Sequence, residues 1–255
     1  MKMVSFEKEI AAIVLAGGKG TRMNSAKPKV LHEIAGQPMI SYSLDVLRGL
    51  GLKKIVIVVG YGAEEVKSFL GEVYDYALQE EQLGTGHAVA WGLKEVSSEF
   101  SHVLVVYGDD SGFYKKETLK SLVDQHLAGQ ATLSFITLEK INPAGLGRIV
   151  RDSDGKVIGI VEEKMATEDQ KKITEVNDGC YIFERDWLDK NLDEIKLNTT
   201  GEYYLTDLVA VALKKGVKVS TFKLVDKTQY VGVNTPEQLE IADQLMRKKL
   251  NEKRR

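Results

Sequence analysis

Residues 15–29 read Leu-Ala-Gly-Gly-Lys-Gly-Thr-Arg-Met-Asn-Ser-Ala-Lys-Pro-Lys, and they follow directly on two apolar residues at 13 and 14. The apolar run 13–16 predicts a short buried strand. It leads into Gly17, Gly18 and Gly20, where a backbone without Cβ atoms can turn sharply and direct its N–H groups at an anion. The same stretch lacks carboxylates, and its basic residues are Lys19, Arg22, Lys27 and Lys29. A buried strand, a glycine loop and fixed cations together predict a binding site for a polyphosphate.

Two other kinds of phosphate-binding loop fit this stretch poorly. A Walker loop requires Gly-x-x-x-x-Gly-Lys followed by Ser or Thr, which does not occur here. A dinucleotide-binding loop requires a third glycine, and Met23 stands at that position. The segment 58–62 also imitates such a loop, but Glu65 replaces its third glycine. An ordinary glycine turn beside a solvated basic loop remains the alternative.

Composition excludes several classes of protein. The 255 residues suffice for one large α/β domain, and the hydrophobic fraction of 43% with a net charge of −2 favours neither disorder nor nucleic-acid binding. No apolar run approaches the ~20 residues that span a bilayer. The first nine residues are too polar for a signal peptide. The single cysteine, Cys180, suits a reducing compartment, and four scattered histidines do not suggest a zinc cluster. We therefore expect a cytoplasmic protein that binds neither nucleic acid nor a membrane.

The first half of the chain alternates predicted strands and helices. Residues 54–59 and 103–107 are continuous apolar runs, and each precedes a segment with helical spacing, at 63–70 and 117–127. Strands buried on both faces and βα order predict a parallel sheet with right-handed crossovers. The expected fold is therefore an α/β, doubly wound, mostly parallel, Rossmann-like sheet. Its ligands should bind at the carboxyl ends of the strands, which Gly17 and Asp109 both follow.

The second half of the chain predicts a smaller region of mixed structure. Asp154-Gly155 is typical of a hairpin turn. A closing amphipathic helix should lead into the basic tail 248–255. The predicted strands are 130–138, 147–152, 156–162 and 176–183, and the predicted helices are 184–192, 203–215 and 235–250.

The glycine loop resembles a known family. Gly-Gly-x-Gly-Thr-Arg at 17–22, with Pro28-Lys29 at the expected distance, is similar to the opening motif of the sugar-1-phosphate nucleotidyltransferases. The resemblance implies the nucleotide-diphospho-sugar transferase fold and catalytic roles for Arg22, Lys29 and Asp109. Arg22 would hold the β- and γ-phosphates, and Lys29 would balance charge at the α-phosphate. The nucleotide would also contact Leu15, Ala16, Gly17 and Gly18.

The segment Gln79-Glu-Glu-Gln-Leu-Gly-Thr-Gly-His-Ala88 resembles the nucleobase-binding segment of uridylyltransferases. A pyrimidine presents amide-like donors and acceptors, which the planar side chains of Gln79 and Gln82 can match. Gly84 would let the backbone approach the ring, and Thr85 would begin a helix whose N-terminus favours phosphate. Gln-x-x-Gln alone is typical of solvated surface. Together with the residues that follow, it points to UTP as the nucleotide.

Asp109 follows a predicted strand, in Tyr107-Gly108-Asp109. A carboxylate at a strand end beside phosphates is a suitable Mg²⁺ ligand, because Mg²⁺ takes one or two carboxylates together with phosphate oxygens and water. The resemblance implies that Asp109 shares this cofactor ion with Asn234 of Gly232-Val233-Asn234. Ordinary capping of the next helix is the alternative for both residues.

Four polar clusters in the second half resemble a sugar-phosphate pocket, at 145–148, 161–164, 176–179 and 200–207. The last, Thr-Gly-Glu-Tyr-Tyr-Leu-Thr-Asp, is typical of the N-acetylglucosamine-1-phosphate uridylyltransferases, also called UDP-N-acetylglucosamine pyrophosphorylases. Each cluster alone would also suit a hairpin, a solvated charge run or a helix start. The resemblance implies that the sugar contacts Tyr107, Gly147, Glu162, Asn177 and Glu202.

The expected organisation is a single nucleotidyltransferase domain over residues 1–255. Its nucleotide-binding half would be about 1–130, its sugar-binding half about 131–234, and its C-terminal helix and basic tail about 235–255. Bifunctional relatives carry hexapeptide repeats for acetyl transfer. None occurs in this sequence, so acetyl transfer is not expected.

The expected reaction converts UTP and N-acetylglucosamine 1-phosphate to UDP-N-acetylglucosamine and pyrophosphate. The residues that depart from the family pattern are Asp110, Ser111, Leu146, Met165 and Asp178. They leave two alternatives open: a uridylyltransferase for glucose 1-phosphate or another hexose 1-phosphate, and a sensor of nucleotide sugars without catalysis. The oligomeric state is not predicted.

Overall fold

The computed structural model describes residues 9–252, apart from the side chain of Ser111. The described strands are β1 (Ile10–Leu15), β2 (Glu33–Ile34), β3 (Gln37–Pro38), β4 (Lys54–Val59), β5 (Asp75–Leu78), β6 (His102–Tyr107), β7 (Leu133–Glu139), β8 (Arg148–Arg151), β9 (Val157–Val161), β10 (Glu175–Glu184) and β11 (Val219–Leu224). The described α-helices are α1 (Met39–Gly49), α2 (Ala63–Leu70), α3 (Thr85–Lys94), α4 (Lys116–Ala128), α5 (Arg185–Asn191), α6 (Asp207–Lys214) and α7 (Pro236–Glu252).

One sheet organises the fold. Within residues 9–252 it has nine strands, of which seven follow the order β11-β7-β10-β6-β1-β4-β5. The pairs β1–β4, β1–β6, β4–β5 and β7–β11 are parallel, whereas β10 runs antiparallel to both of its neighbours. The hairpin β8–β9 extends from the start of β10. This mostly parallel sheet with a small mixed region confirms the predicted fold.

The core has two layers because the central strands are buried on both faces. Every residue of β1 is buried. Ile10, Ala12 and Val14 pack into the cluster on one face, and the alternate residues of β1 pack into the cluster on the other. A continuous apolar run is what a strand covered by helices on both sides requires.

The register of the sheet brings several strand ends to one level. Leu15 at the end of β1 is opposite Val58 of β4 and Tyr107 of β6. Val59 of β4 is opposite Leu78 at the end of β5. The loops that leave these strands therefore begin side by side at the carboxyl edge of the sheet.

Two predicted boundaries differ from the structure for identifiable reasons. The helix predicted from 203 begins at Asp207, because the backbone of Tyr203 is hydrogen-bonded to Leu83 and Gly86 instead of to its own segment. The strand predicted from 130 begins at Leu133, because Gln130 has a φ of +49° in the turn after α4. Residues 253–255 of the predicted basic tail lie outside the described residues.

None of the helices within residues 9–252 combines the length and the apolar character that crossing a bilayer demands.

His126 on α4 predicts a measurable dependence of stability on pH. Its side chain is fully buried, Nδ1 lies 2.8 Å from Ser134 Oγ, and its ring packs edge-on against His102. Burial, and to a lesser extent His102, lowers the pKa of His126 from 6.5 to about 3. Between these pH values the unfolded chain binds the additional proton. The free energy of unfolding should therefore fall as the pH drops below the unfolded pKa, by at most ~1.4 kcal/mol per pH unit for this group.

Urea denaturation at a series of pH values between 7 and 4 tests this expectation. His126→Gln should show a shallower loss of stability with falling pH than the unaltered protein, whatever its absolute stability. Parallel pH profiles of the two proteins would contradict the assignment to His126.

Candidate active site

A cavity of about 450 Å³ opens at the carboxyl edge of the sheet. The residues after β1 form its glycine-rich wall, the segments after β5 and β6 form further walls, and Glu202, Tyr204 and Asn234 also line it. The sequence-predicted residues that line it are Leu15, Ala16, Gly17, Gly18, Arg22, Lys29, Gln79, Gln82, Gly84, Thr85, Tyr107, Asp109, Glu202 and Asn234. The cavity therefore brings together the predicted nucleotide-binding, catalytic and metal-binding side chains.

The glycine loop is shaped by a close approach of two loops. Gly17 O accepts a hydrogen bond from Tyr61 N at 3.0 Å. A Cβ atom on Gly60 would lie 2.7 Å from Gly17 O, so the loops after β1 and β4 can lie together only if residue 60 is glycine. A Cβ atom on Gly18 would meet nothing within 4 Å. Packing within the protein therefore does not require glycine at position 18, which lines the cavity.

Four polar side chains from distant parts of the sequence converge in the cavity. Lys29 forms an ion pair with Asp109, and each of these side chains is only 15% exposed. Lys29 Nζ also donates to Asn234 Oδ1 at 3.0 Å, and Arg22 Nη2 donates to the same oxygen at 2.9 Å. Two cations, one carboxylate and one amide oxygen thus form a continuous network.

Apolar neighbours explain why these side chains meet. Met23 follows Arg22 and Val233 precedes Asn234, and both apolar residues are buried in one cluster with α7. Val30 follows Lys29 and packs beside Gly108, where an added Cβ atom would lie 3.4 Å from Val30 Cγ1. Gly108 in turn precedes Asp109. The packing of the apolar residues therefore fixes the positions of the polar residues beside them.

The structure argues against helix capping for Asp109 and Asn234. At the start of α7 it is Thr235 whose hydroxyl accepts a hydrogen bond, from Gln238 N at 3.3 Å. The side chain of Asn234 instead faces Arg22 and Lys29. The residue that precedes α4 is Lys115, and Asp109 lies six positions before it. The side-chain oxygens of Asp109 and Asn234 therefore belong to the network in the cavity and not to a helix cap.

These two oxygens fit a magnesium ion. Asp109 Oδ2 and Asn234 Oδ1 both contact the ammonium of Lys29, so they converge on a point that already holds a positive charge. Mg²⁺ prefers hard oxygen ligands and usually takes few of them from the protein, the rest coming from phosphate and water. One carboxylate and one amide oxygen beside the glycine loop match that preference.

Gln79, which the sequence predicts to contact a nucleobase, lies directly after β5 and lines the cavity. It is 4% exposed, and its Nε2 donates to Gly84 O at 3.1 Å. Its Oε1 lies near Gly17, where a Cβ atom would approach to 3.3 Å. Gln82 Nε2 donates to the backbone carbonyls of Gln79 and Glu80, which tightens the turn between them. The amide of Gln79 is thus held at the junction of the glycine loop and the segment before α3.

Gly84 has a structural requirement that the sequence did not indicate. Its φ is +100°, and a Cβ atom would lie 2.6 Å from Tyr203 O. Tyr203 N donates to Leu83 O, and Gly86 N donates to Tyr203 O, both at 2.8 Å. Glycine at this position therefore admits the backbone of the 202–203 segment, which brings Glu202 into the cavity.

His87 and Trp91 support Gln79, and sequence reasoning missed both. The indole N–H of Trp91 donates to His87 Nε2 at 3.0 Å, and His87 Nδ1 lies 3.1 Å from Gln79 Nε2. Because an indole N–H can only donate, a neutral His87 carries its proton on Nδ1 and favours the oxygen of Gln79. Gly84 O, in contrast, favours the side-chain nitrogen of Gln79 at the same position. The two neighbours therefore favour opposite orientations of the Gln79 amide. The i, i+4 spacing of His87 and Trp91 on a helix could have indicated their contact.

The predicted sugar-binding residues lie in two places. Tyr107 and Glu202 line the cavity, whereas Gly147, Glu162 and Asn177 do not. These last three form a cluster of their own: Asn177 N donates to Gly147 O at 2.9 Å, and a Cβ atom on Gly147 would lie 3.4 Å from Glu162 Oε1. Glu162 Oε1 accepts a hydrogen bond from Thr206 at 2.9 Å, and burial raises its pKa.

A buried arginine supports this sugar-residue cluster. Arg148 is 1% exposed and forms an ion pair with Glu163 at 2.6 Å. Glu163 begins the short turn that follows Glu162. The sequence placed Arg148 in a polar cluster but did not predict this ion pair. A buried charge needs an oppositely charged partner, and that partner is not evident from the residues next to Arg148.

Two residues that depart from the family pattern, Asp110 and Asp178, do not line the cavity. Asp178 is 5% exposed and accepts a hydrogen bond from Tyr114 at 2.8 Å. Burial raises the pKa of Asp178 to about 7. Burial, followed by the negative charge of Asp109, raises the pKa of Asp110 well above its usual range. These carboxyl groups therefore carry less negative charge near neutral pH than surface aspartates do.

Known proteins with similar sequences belong to a family that agrees with the observed fold. A family model described as nucleotidyl transferase matches residues 11–230. The protein described as bifunctional protein GlmU from Halalkalibacterium halodurans is 42% identical over 242 residues, which are 94% of this chain and 53% of that protein. The GlmU protein of Heliobacterium modesticaldum is 44% identical over 243 residues, again 53% of its length. The chain thus spans about half the length of these curated relatives.

Among solved structures, a 2.76 Å crystal structure from Bacillus anthracis is similar to this protein. It is described as a presumed glucose-1-phosphate thymidylyltransferase in complex with sucrose. The TM-score is 0.80 with 22% identity, over 93% of this chain and 95% of that one. At this level of identity the likeness shows the fold alone. The family is shown by the family model, which covers most of the sequence. The chain therefore belongs to the nucleotidyl transferase family.

Proposed function

We propose that this protein transfers the uridylyl group of UTP to N-acetylglucosamine 1-phosphate, which yields UDP-N-acetylglucosamine and pyrophosphate. The observation that carries the proposal is the network of Arg22, Lys29, Asp109 and Asn234 inside the cavity of the glycine loop. Family membership supports nucleotidyl transfer, and the resemblance of residues 200–207 to N-acetylglucosamine-1-phosphate uridylyltransferases supports the sugar.

The chemistry suits these residues because the reaction joins two anions. An oxygen of the sugar phosphate attacks the α-phosphorus of UTP, the bond from that phosphorus to the bridging oxygen breaks, and pyrophosphate leaves with the electron pair. No general base is required, since the attacking phosphate is ionised at neutral pH. Catalysis is then chiefly positioning and charge neutralisation. Arg22 and the loop amides hold the leaving phosphates, and Lys29 neutralises charge at the α-phosphate.

Asp109 and Asn234 are the residues that would hold Mg²⁺. When bound, the ion would supply positive charge to the phosphate oxygens as they approach each other. The carboxylate of Asp109 lies close enough to Lys29 to balance the excess of positive charge that the two cations otherwise create.

Gln79 supports a pyrimidine at the base position. In either of its orientations the amide turns one polar group toward Gly17 and the other toward Gly84 and His87. Uracil presents an imide N–H between two carbonyl groups, which one amide side chain can match as donor or as acceptor.

Pyrophosphate release tests the proposal. The purified protein is supplied with Mg²⁺, one of UTP, CTP, ATP or dTTP, and one of a panel of sugar 1-phosphates. Release should be fastest with UTP, and N-acetylglucosamine 1-phosphate should exceed glucose 1-phosphate in kcat/KM. A preference for glucose 1-phosphate would overturn the sugar assignment. Retained binding of UDP-sugar with no release from any pair would instead indicate a sensor.

A further inference from the structure

The ammonium of Lys29 occupies the point on which the two candidate metal ligands converge. It pairs with Asp109 Oδ2 and donates to Asn234 Oδ1 at 3.0 Å. We propose that Lys29 is the resident cation of this metal site: in the absence of nucleotide it blocks both oxygens, and a nucleotide phosphate must draw it away before a divalent cation can bind. The inference rests on the proposed function, because that function supplies the phosphate.

The charges of the site require such an exchange. Asp109 is mostly enclosed, and a carboxylate there is stabilised by a cation at close range. Asn234 Oδ1 already accepts from Arg22 and Lys29, so a divalent cation added to this arrangement would meet two positive groups at contact distance. A phosphate attracts Lys29 more strongly than the neutral amide of Asn234 does. Transfer of the ammonium to a phosphate therefore releases both oxygens from Lys29 and removes the repulsion that Lys29 would exert on the incoming cation.

The ammonium of Lys29 can move from Asp109 toward the glycine loop without displacement of the rest of its side chain. A Cβ atom on Gly20 would lie 2.8 Å from Lys29 Cβ, so the stem of Lys29 packs directly against the glycine loop. Lys29 and the loop residues Gly18 and Lys19 line the same cavity. The stem can stay in place while the ammonium turns from Asp109 toward a phosphate held by the loop amides.

This arrangement makes metal and nucleotide binding mutually supportive. A ligand that must displace an internal competitor binds more weakly than it would to an open site. Its apparent affinity is the intrinsic affinity multiplied by the fraction of sites in which the competitor is absent. Coupling between two binding events is reciprocal, so a nucleotide that removes Lys29 raises the affinity for the metal and the metal raises the affinity for the nucleotide. The free protein should accordingly bind divalent cations weakly.

Titration with Mn²⁺ in the absence of nucleotide tests the proposal, with free Mn²⁺ measured by its electron paramagnetic resonance signal. Lys29→Met should bind Mn²⁺ at least ~10-fold more tightly than the unaltered protein, because the competing cation has been removed. Lys29→Gln should behave in the same way, and it provides a second variant if the Met variant does not fold.

Lys54→Met is a matched control. Lys54 Nζ lies 3.0 Å from Asp75, so this variant also removes one ammonium and releases one aspartate, at a strand pair away from the cavity. Its Mn²⁺ affinity should equal that of the unaltered protein. The double variant Lys29→Met with Asp109→Asn should lose the tight site.

Three results would overturn the proposal: unchanged affinity in both Lys29 variants, an equal gain in Lys54→Met, or a tight site that survives the Asp109 substitution. The titration contains no UTP and no sugar phosphate. Failure of the proposed reaction, seen as absence of pyrophosphate release, is therefore distinguishable from failure of this inference.

Discussion

Asp109→Ala should lower turnover by about 100-fold or more, the loss expected when one contact that stabilises the transition state is removed. The substitution removes the single carboxylate in the network and leaves Lys29 paired only with Asn234. Without that charge the site would hold a cation less tightly and would orient Lys29 poorly. Asp109→Asn keeps the shape of the side chain, so a loss in that variant too would assign the effect to charge. Steady-state release of pyrophosphate at saturating substrates measures kcat directly.

Asp75→Ala provides the matched control for Asp109. Asp75 pairs with Lys54 at 3.0 Å, but its side chain is 51% exposed and it lies at the start of β5. An exposed ion pair typically contributes ~0–1 kcal/mol to stability, so this variant should fold and retain normal turnover. Turnover near normal in Asp109→Ala would reject the role given to Asp109.

Lys29→Ala is expected to have an effect of similar size on turnover. Removal of its ammonium takes away a cation that would neutralise the α-phosphate as the attacking oxygen approaches, which costs about 100-fold or more. The loss should appear mainly in kcat, since in the proposed mechanism Arg22 and the loop amides would still hold the leaving phosphates. The same variant should bind Mn²⁺ more tightly, so its metal affinity and its turnover should change in opposite directions.

Lys54→Ala should leave both measurements unchanged, because that residue lies outside the cavity lining. A Lys29→Ala variant whose kcat stays within about threefold of normal, a difference below ~0.7 kcal/mol, would show that Lys29 makes no important contact in the transition state.

The first half of the chain could be predicted in detail because its signals are local. The runs at 54–59 and 103–107 are buried on both faces, and strands of that kind can be recognised without knowledge of their partners. The shape of the glycine loop can likewise be predicted, because the residues that determine it are adjacent in sequence. Within this half, sequence reasoning missed what depends on distant contacts, such as the support of Gln79 by His87 and Trp91.

The second half was predicted less well because its geometry depends on pairings between distant segments. Residues 203–206 have a helical pattern, yet the backbone of Tyr203 bonds to Leu83 and Gly86. Gly147, Glu162 and Asn177 do form one cluster, because β8 pairs with both β9 and β10. Their separation from the cavity lining depends on how these distant segments pair, which no local pattern encodes.

By itself the sequence determined the family to which the chain belongs, since the glycines, the cations and the carboxylate are present in recognisable spacing. It also determined the parallel sheet, through apolar runs that must be buried on both faces. Only the tertiary structure decided that Arg22 and Asn234, 212 positions apart, share a hydrogen bond. The physical reason is packing: Met23 with Val233, and Val30 beside Gly108, bury apolar surface and thereby place the polar residues next to them within contact distance.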